Sequence, residues 1–296
     1  MIFIDGVGIG EKDNEFNPFL KYGFKIFNEV FKNTPHKQNA YLEKDGMFIF
    51  PTDARLGVEG LPQSGTGQVS IFCGVNAPKF VGKHFGPFPY STTIPIIKGQ
   101  NIFKTYKDLG KTPYFINAYP KVFFDYLKSG KTRLSTTSLS CRLTGLKLNS
   151  VTELRQCKAL TAEITNERWN RKLKYQLRVI SPETAARRLL RIAGKQDFTL
   201  YEFFHTDHLG HGRIADEFES IYNNLDRFLF TVLKELKKDE ITLVICSDHG
   251  NFEDISIKTH TMNPALTITA GKNAKQLANN IKDLTDIKPS IIKYCT

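Results

Sequence analysis

Four short segments place acids and histidines next to apolar runs. Ile2-Phe3-Ile4 runs into Asp5-Gly6, and Phe198 to Phe204 is followed by Asp207-His208-Leu209-Gly210-His211. Ile241 to Cys246 leads into Ser247-Asp248-His249-Gly250, while Lys258-Thr259-His260-Thr261 stands just ahead of Ala265 to Ile268. Carboxylate oxygens and imidazole nitrogens are the donors that hard and borderline divalent cations take. Asp207 and His211 are four residues apart, so a helix beginning there would bring both toward one cation. Gly6, Gly8 and Gly10 have the wrong spacing for a dinucleotide fingerprint, and Asp5 would repel a pyrophosphate unless a metal lay between them. Three carboxylates and three histidines gathered at one place would repel and desolvate one another without bound cations. With one more oxygen, the set suffices for two metals.

That oxygen can come from Gly60-Leu61-Pro62-Gln63-Ser64-Gly65-Thr66-Gly67-Gln68, which leads into an apolar helical stretch from Val69 to Val75. Thr66 would then stand at a helix N-terminus, where free amides and the positive dipole end favour an alkoxide or a phosphate. A hydroxyl is a weak nucleophile at neutral pH, and metal coordination is one way to activate it. Ser64 is the rival nucleophile.

The elements that must carry these residues read as an α/β fold with a largely parallel sheet. Strand candidates are Ile2 to Ile4, Met47 to Phe50, Tyr114 to Ile116, Phe198 to Phe204, Ile241 to Cys246 and Ala265 to Ile268. Helical patterns alternate with them. Asn17-Pro18 opens one helix, with Phe19, Leu20, Phe24, Phe27, Val30 and Phe31 following at near-helical spacing. Ser181-Pro182-Glu183 opens a second that stops at Gly194, and an apolar stripe marks a third from Ile214 to Lys238. In such a sheet, ligands bind beyond the carboxyl ends of the strands, where three of the four motifs fall.

Residues 119–180 break the alternation and read as an inserted basic cap, leaving 1–118 and 181–296 as the metal-binding core. The 296-residue chain carries 41 Lys+Arg and 30 Asp+Glu, yet Lys121 to Lys195 alone holds 17 basic and 5 acidic residues, so one middle segment supplies the whole excess. A field of that kind attracts an anionic ligand. Arg133, Arg142 and Lys158 are the candidate substrate-binding bases. Hydrophobic residues make up 41% of the chain, enough for a sizeable core and against intrinsic disorder. No apolar run is long enough to span a membrane. Met1 leads straight into an apolar strand, and the five cysteines are odd in number and widely spaced, without C-x-x-C. These features give a cytoplasmic expectation, without a disulfide framework or a Cys-based zinc site.

Taken together, the Asp-Gly after the first strand, the Ser/Thr-bearing glycine loop, the Asp-x-x-x-His, the Asp-His-Gly and the late His resemble the alkaline phosphatase superfamily. The resemblance is to its phosphopentomutase and cofactor-independent phosphoglycerate mutase branch. It implies a three-layer core with a small cap and a pair of divalent cations, with zinc or manganese favoured and magnesium admissible. In the mutase loop the nucleophilic serine precedes a helical glycine by eight residues, the relation of Thr66 to Gly74. Carried over, Asp5, Thr66, Asp248 and His249 would hold one metal, and Asp207, His211 and His260 the other. The expected function is phosphoryl transfer on a small phosphomonoester through a phosphothreonine, resolved by water in a phosphatase or by a substrate hydroxyl in a mutase. The insertion is shorter than either mutase's cap, so the substrate does not carry over. A phosphodiesterase or nucleotide pyrophosphatase on the same metals is the nearest alternative. A non-catalytic anion- or nucleic-acid-binding protein is the other, and the intact donor set and the lack of a stacked-aromatic RNA motif argue against it.

Overall fold

A computed structural model describes residues 1–296. Seven strands form one sheet: β1 (Ile2–Ile4), β2 (Leu42–Lys44), β3 (Met47–Thr52), β4 (Pro113–Phe115), β5 (Phe198–Phe203), β6 (Thr242–Cys246) and β7 (Ala265–Gly271), in the order β2-β3-β7-β6-β1-β5-β4. β4, β5, β1 and β6 are mutually parallel, whereas β7 runs antiparallel to both β6 and β3, and β2 pairs antiparallel with β3. Most of the sheet therefore points one way, and β7 and β2 run against it. That reversal decides where His260 falls. A residue ahead of a parallel strand lies at the amino edge, but one ahead of the reversed β7 lies at the carboxyl edge of β1, β5 and β6.

Strand alternation divides the core into two layers. Ile2 and Ile4 of β1, with Leu243 and Ile245 of β6, face one apolar cluster together with the helices Pro182–Ala193 and Phe218–Lys234. Phe3, Val244 and Cys246 face the other, against the helices Ser64–Cys73, Ile102–Asp108, Ala274–Asn280 and Ile287–Cys295. The result is a three-layer α/β/α core. Burial of each such side chain contributes about 1.5–3 kcal/mol, and both faces are sealed, so the carboxyl edge is where polar groups can gather.

Local signals account for most helix starts. Ser181 caps the Pro182–Ala193 helix by accepting from the Thr184 amide, and Asn17 caps a short Pro18–Lys21 turn through the Phe19 amide. The expected continuous helix after Asn17 is interrupted, because Gly23 takes a positive φ and the chain resumes as a π-helical turn at Ile26–Phe31. The third helix starts at Phe218 rather than Ile214, after a 3₁₀ turn at Ala215–Glu217.

Residues 119–180 do not form a lobe apart from the core. The Thr136–Thr144 helix places Cys141 in the second core layer and Leu139 against Val69 and Cys73, and Thr137 donates to the β5 residue Glu202 at 2.7 Å. Further along, Leu154, Ala159, Trp169 and Leu177 pack on Ala118 in a small cluster beyond β4. No helix is long and apolar enough to cross a membrane. All five cysteines are unpaired.

Candidate metal centre

The carboxyl edge of β1, β5 and β6 brings two donor clusters side by side. Asp5, Asp248 and His249 form one, and Asp207, His211 and His260 the other. Asp5 follows β1 directly. Gly6 takes a positive φ and packs against Asp207, allowing the chain to turn beside that carboxylate. The Asp207–His211 pair sits on the one-and-a-half-turn helix His205–Gly210 and its cap, which returns the histidine onto the carboxylate at 3.2 Å. His260 Nε2 lies 3.4 Å from the same Asp207 oxygen, and the His249 and His260 rings stack at 3.7 Å, joining the clusters.

The histidines are oriented by the backbone. His211 Nδ1 lies 2.7 Å from the Lys258 carbonyl, and His260 Nδ1 lies 2.6 Å from the Pro62 carbonyl. A carbonyl only accepts, so each Nδ1 carries the proton and each Nε2 presents a lone pair. Those two Nε2 atoms face one another at 3.2 Å across Asp207. Two lone pairs and a carboxylate directed at one point fit a cation and repel without one. In the other cluster, burial and then the neighbouring Asp248, Asp207 and Glu202 carboxylates push Asp5 well above the usual carboxylate range. Burial likewise opposes ionisation of Asp207, but the adjoining His211 and His260 rings outweigh it and hold it low. Burial raises Glu202 to about 7.

The two candidate hydroxyls, Thr66 and its rival Ser64, stand two residues apart in helix register and have different partners. The helix begins at Ser64, with Gln63 as its cap, so Thr66 is the third helical residue and turns away. Thr66 Oγ1 is spent on the 85-loop: it accepts from the Phe85 amide at 3.2 Å, and the Thr66 amide donates to the Phe85 carbonyl at 2.9 Å. Ser64 Oγ instead lies 2.9 Å from His249 Nε2 and 3.4 Å from Asp5 Oδ1. Ser64, Gly67 and Gln68 share the helix face turned to the cluster. A Cβ at Gly67 would come within 3.1 Å of Asp248, so a side chain there would press on that residue.

Several supporting residues had no sequence signal. Gln68 Nε2 reaches both Asp5 and Asp248 at 3.3 Å, and Asn251 Nδ2 donates to Asp207 at 2.8 Å. Glu253 is buried and accepts from the Gly8 and Asn251 amides, Thr261 Oγ1 and Asn263 Nδ2, tying the β1, β6 and pre-β7 loops together. Of the candidate substrate bases, Arg133 is exposed with its guanidinium 4.7 Å over the Phe88 ring, while the exposed Arg142 and Lys158 side chains make no contact with either cluster.

Residues 176–296 match the family model described as Metalloenzyme superfamily, a stretch that holds Asp207, His211, Asp248, His249 and His260 but neither Asp5 nor Ser64. The 2,3-bisphosphoglycerate-independent phosphoglycerate mutase of Mycoplasmopsis pulmonis is 30% identical over 38% of this chain and 24% of its own. That of Mycoplasmopsis synoviae is 26% identical over 39% and 24%. The matched stretch thus spans about a quarter of these curated relatives. The solved alkaline phosphatase from the Antarctic bacterium TAB5 aligns over 99% of this chain and 97% of its own, with a TM-score of 0.46 and 11% identity. Over its carboxyl-terminal part the chain is thus similar to the Metalloenzyme superfamily model and to these mutases, and with the donor clusters these likenesses support use of a divalent metal.

Proposed function

We propose that this protein is a metal-dependent phosphoryl-transfer enzyme acting on small phosphomonoesters, with Ser64 as nucleophile. The observation that carries the reading is the placement of Ser64 Oγ within reach of both His249 and Asp5, beside a second cluster of three cation donors. Asp5, Asp248, His249 and the Ser64 hydroxyl would hold one divalent cation, and Asp207, His211 and His260 the other. Mixed carboxylate and imidazole donors suit zinc or manganese, with magnesium admissible at the oxygen-rich position. When bound, such cations lower the pKa of a coordinated hydroxyl and offset charge on phosphoryl oxygens.

The chain's own groups supply the rest. Asp5 accepts from the Ser64 hydroxyl, biasing the oxygen toward attack. The amino end of the Ser64–Cys73 helix favours the phosphate's negative charge. Ser64 Oγ forms a bond to phosphorus as the ester oxygen leaves, giving a phosphoserine rather than a phosphothreonine. Water then yields a phosphatase and a substrate hydroxyl yields a mutase.

The test is release of p-nitrophenol from p-nitrophenyl phosphate by protein supplied in turn with manganese, zinc and magnesium, beside bis(p-nitrophenyl) phosphate. Metal-dependent monoester turnover supports the reading. Diester turnover alone replaces it with a phosphodiesterase, and no turnover of either removes it.

A further inference from the structure

A cavity of about 340 Å³ opens at the other edge of the sheet, around the starts of β1, β5 and β6. Thr199 and Thr242, near the starts of β5 and β6, line it. So do Leu189 of the Pro182–Ala193 helix, Tyr106 of Ile102–Asp108 and Ile291 of Ile287–Cys295. The cavity therefore joins the two core layers where the strands begin. No cation donor borders it, because Asp5, Asp207 and Asp248 follow the opposite ends of those strands.

Its walls decide what it can hold. Leu189, Val232, Leu236, Leu243 and Ile291 supply buried apolar surface, and Phe198 stacks on Tyr106 with ring centroids 4.8 Å apart. The volume falls within the roughly 300–1,000 Å³ of small-molecule sites. Two hydroxyls in this apolar wall lack partners in the chain. Thr199 is 5% exposed with Oγ1 unpaired, and Tyr106 is 1% exposed, its phenol raised by burial with no hydrogen bond to offset the effect. Leaving buried hydroxyls unpaired is costly, and native interiors keep few of them. Each O–H has a proton to place, and a carbonyl oxygen with two lone pairs accepts it. Charge narrows the choice further. Asp197, Glu240 and Lys272 are exposed at the rim, and the Met1 amine, lowered by burial to about 6, donates to the Thr199 carbonyl at 2.8 Å. The interior thus offers an ion no counter-charge, and a neutral molecule fits.

We propose that this cavity is a second binding site, separate from the metal centre, for a small neutral molecule with a compact apolar body and a carbonyl oxygen held by the Thr199 and Tyr106 hydroxyls. It stands whether or not the phosphoryl-transfer reading holds. The full chain is titrated with three fluorinated probes, each followed by fluorine NMR. 4-Fluoroacetophenone supplies a ring and a carbonyl, fluorobenzene the ring alone, and 4-fluorobenzoate the ring with a charge.

4-Fluoroacetophenone should bind about tenfold tighter than fluorobenzene, the size expected of one hydrogen bond to an otherwise unpaired hydroxyl, and 4-fluorobenzoate should bind weakest. Combining Tyr106→Phe with Thr199→Val removes both hydroxyls, keeps the shape of the wall and should bring the ratio of the first two to near one. Ala193→Trp is the second variant should that pair not fold. Ala193 is a half-buried residue of the lining at a helix end, so the larger side chain fills the space and should abolish binding of every probe. Adding zinc should leave each affinity unchanged, since no donor borders the cavity. Absence of saturable binding by any probe would reduce the cavity to a water-filled gap and overturn the proposal. Equal affinities for 4-fluoroacetophenone and fluorobenzene, tightest binding of 4-fluorobenzoate, displacement by zinc, or substitutions without effect would overturn it as well.

Discussion

Asp5, Asp248 and His249 hang directly from β1 and β6 at the middle of the sheet, and Asp248 and His249 are 0% exposed. Asp207, His211 and His260 come instead from a short helix and from the loop ahead of β7, with His211 left partly open to solvent. The first cluster is fixed by strand ends and by Gln68; the second is fixed by carbonyls that hold each Nδ1. The difference suggests a division of labour within the proposed function: the cluster set on strand ends would carry the nucleophile, and the one that leaves His211 partly open would meet whatever enters and leaves.

The largest expected effect falls on the enclosed side. Ser64→Ala should lower turnover of p-nitrophenyl phosphate by on the order of 10³ or more, with the thermal midpoint little changed. Residual activity above a tenth of the parent's would transfer the nucleophile's role elsewhere and dissolve the contrast. Next, Asp248→Asn and Asp207→Asn should each reduce bound metal from two equivalents to one, measured by elemental analysis after dialysis. The loss of turnover should be larger for Asp248→Asn, about hundredfold or more, because it disturbs the cation beside Ser64. Equal loss in both would show that the clusters act as one unit.

His211→Ala sharpens the second half of the comparison. As the most exposed donor it should weaken one metal by at least about tenfold while sparing the other. Chelation tests both clusters together. Stripping cations leaves three buried carboxylates facing one another, so the apo chain should unfold at lower temperature. A cation present at a hundredfold its Kd stabilises by about 2.7 kcal/mol. An unchanged midpoint on adding chelator would mean that the carboxylates are not relying on metal.

How much of this was legible in the chain depends on which forces placed each residue. Strands β1, β3, β4, β5, β6 and β7 were readable as short apolar runs bounded by polar or acidic residues, and Ser181 and Asn17 announced their helices by capping chemistry. The donor residues Asp5, Asp207, His211, Asp248, His249 and His260 could be grouped because strand ends converge at one edge. The reversal of β7 could not be read. Pairing direction is a long-range matter, and a wholly parallel sheet would have put His260 at the opposite edge. Residues 119–180 carry a basic surface and also place Leu139 and Cys141 in core clusters, a packing that charge does not foretell. Gln68, Asn251 and Glu253 are ordinary polar residues until tertiary contacts surround them.

The finest distinction concerns two hydroxyls separated by one glycine, and Thr66→Val is the substitution that tests it. Counting from a glycine downstream favours Thr66, but counting from the helix start favours Ser64, because two residues turn the side chain by about 200°. Valine keeps Thr66's shape and its amide bond to Phe85 while removing the acceptor for the Phe85 amide. An orphaned donor of this kind costs about 1–3 kcal/mol, so the midpoint should fall. Turnover should stay within about tenfold of the parent, since Ser64 is untouched and only its supporting loop loosens. A collapse of turnover at an unchanged midpoint would return the nucleophile to Thr66. The enclosed cluster would then owe its chemistry to a rotated helix rather than to the register described above.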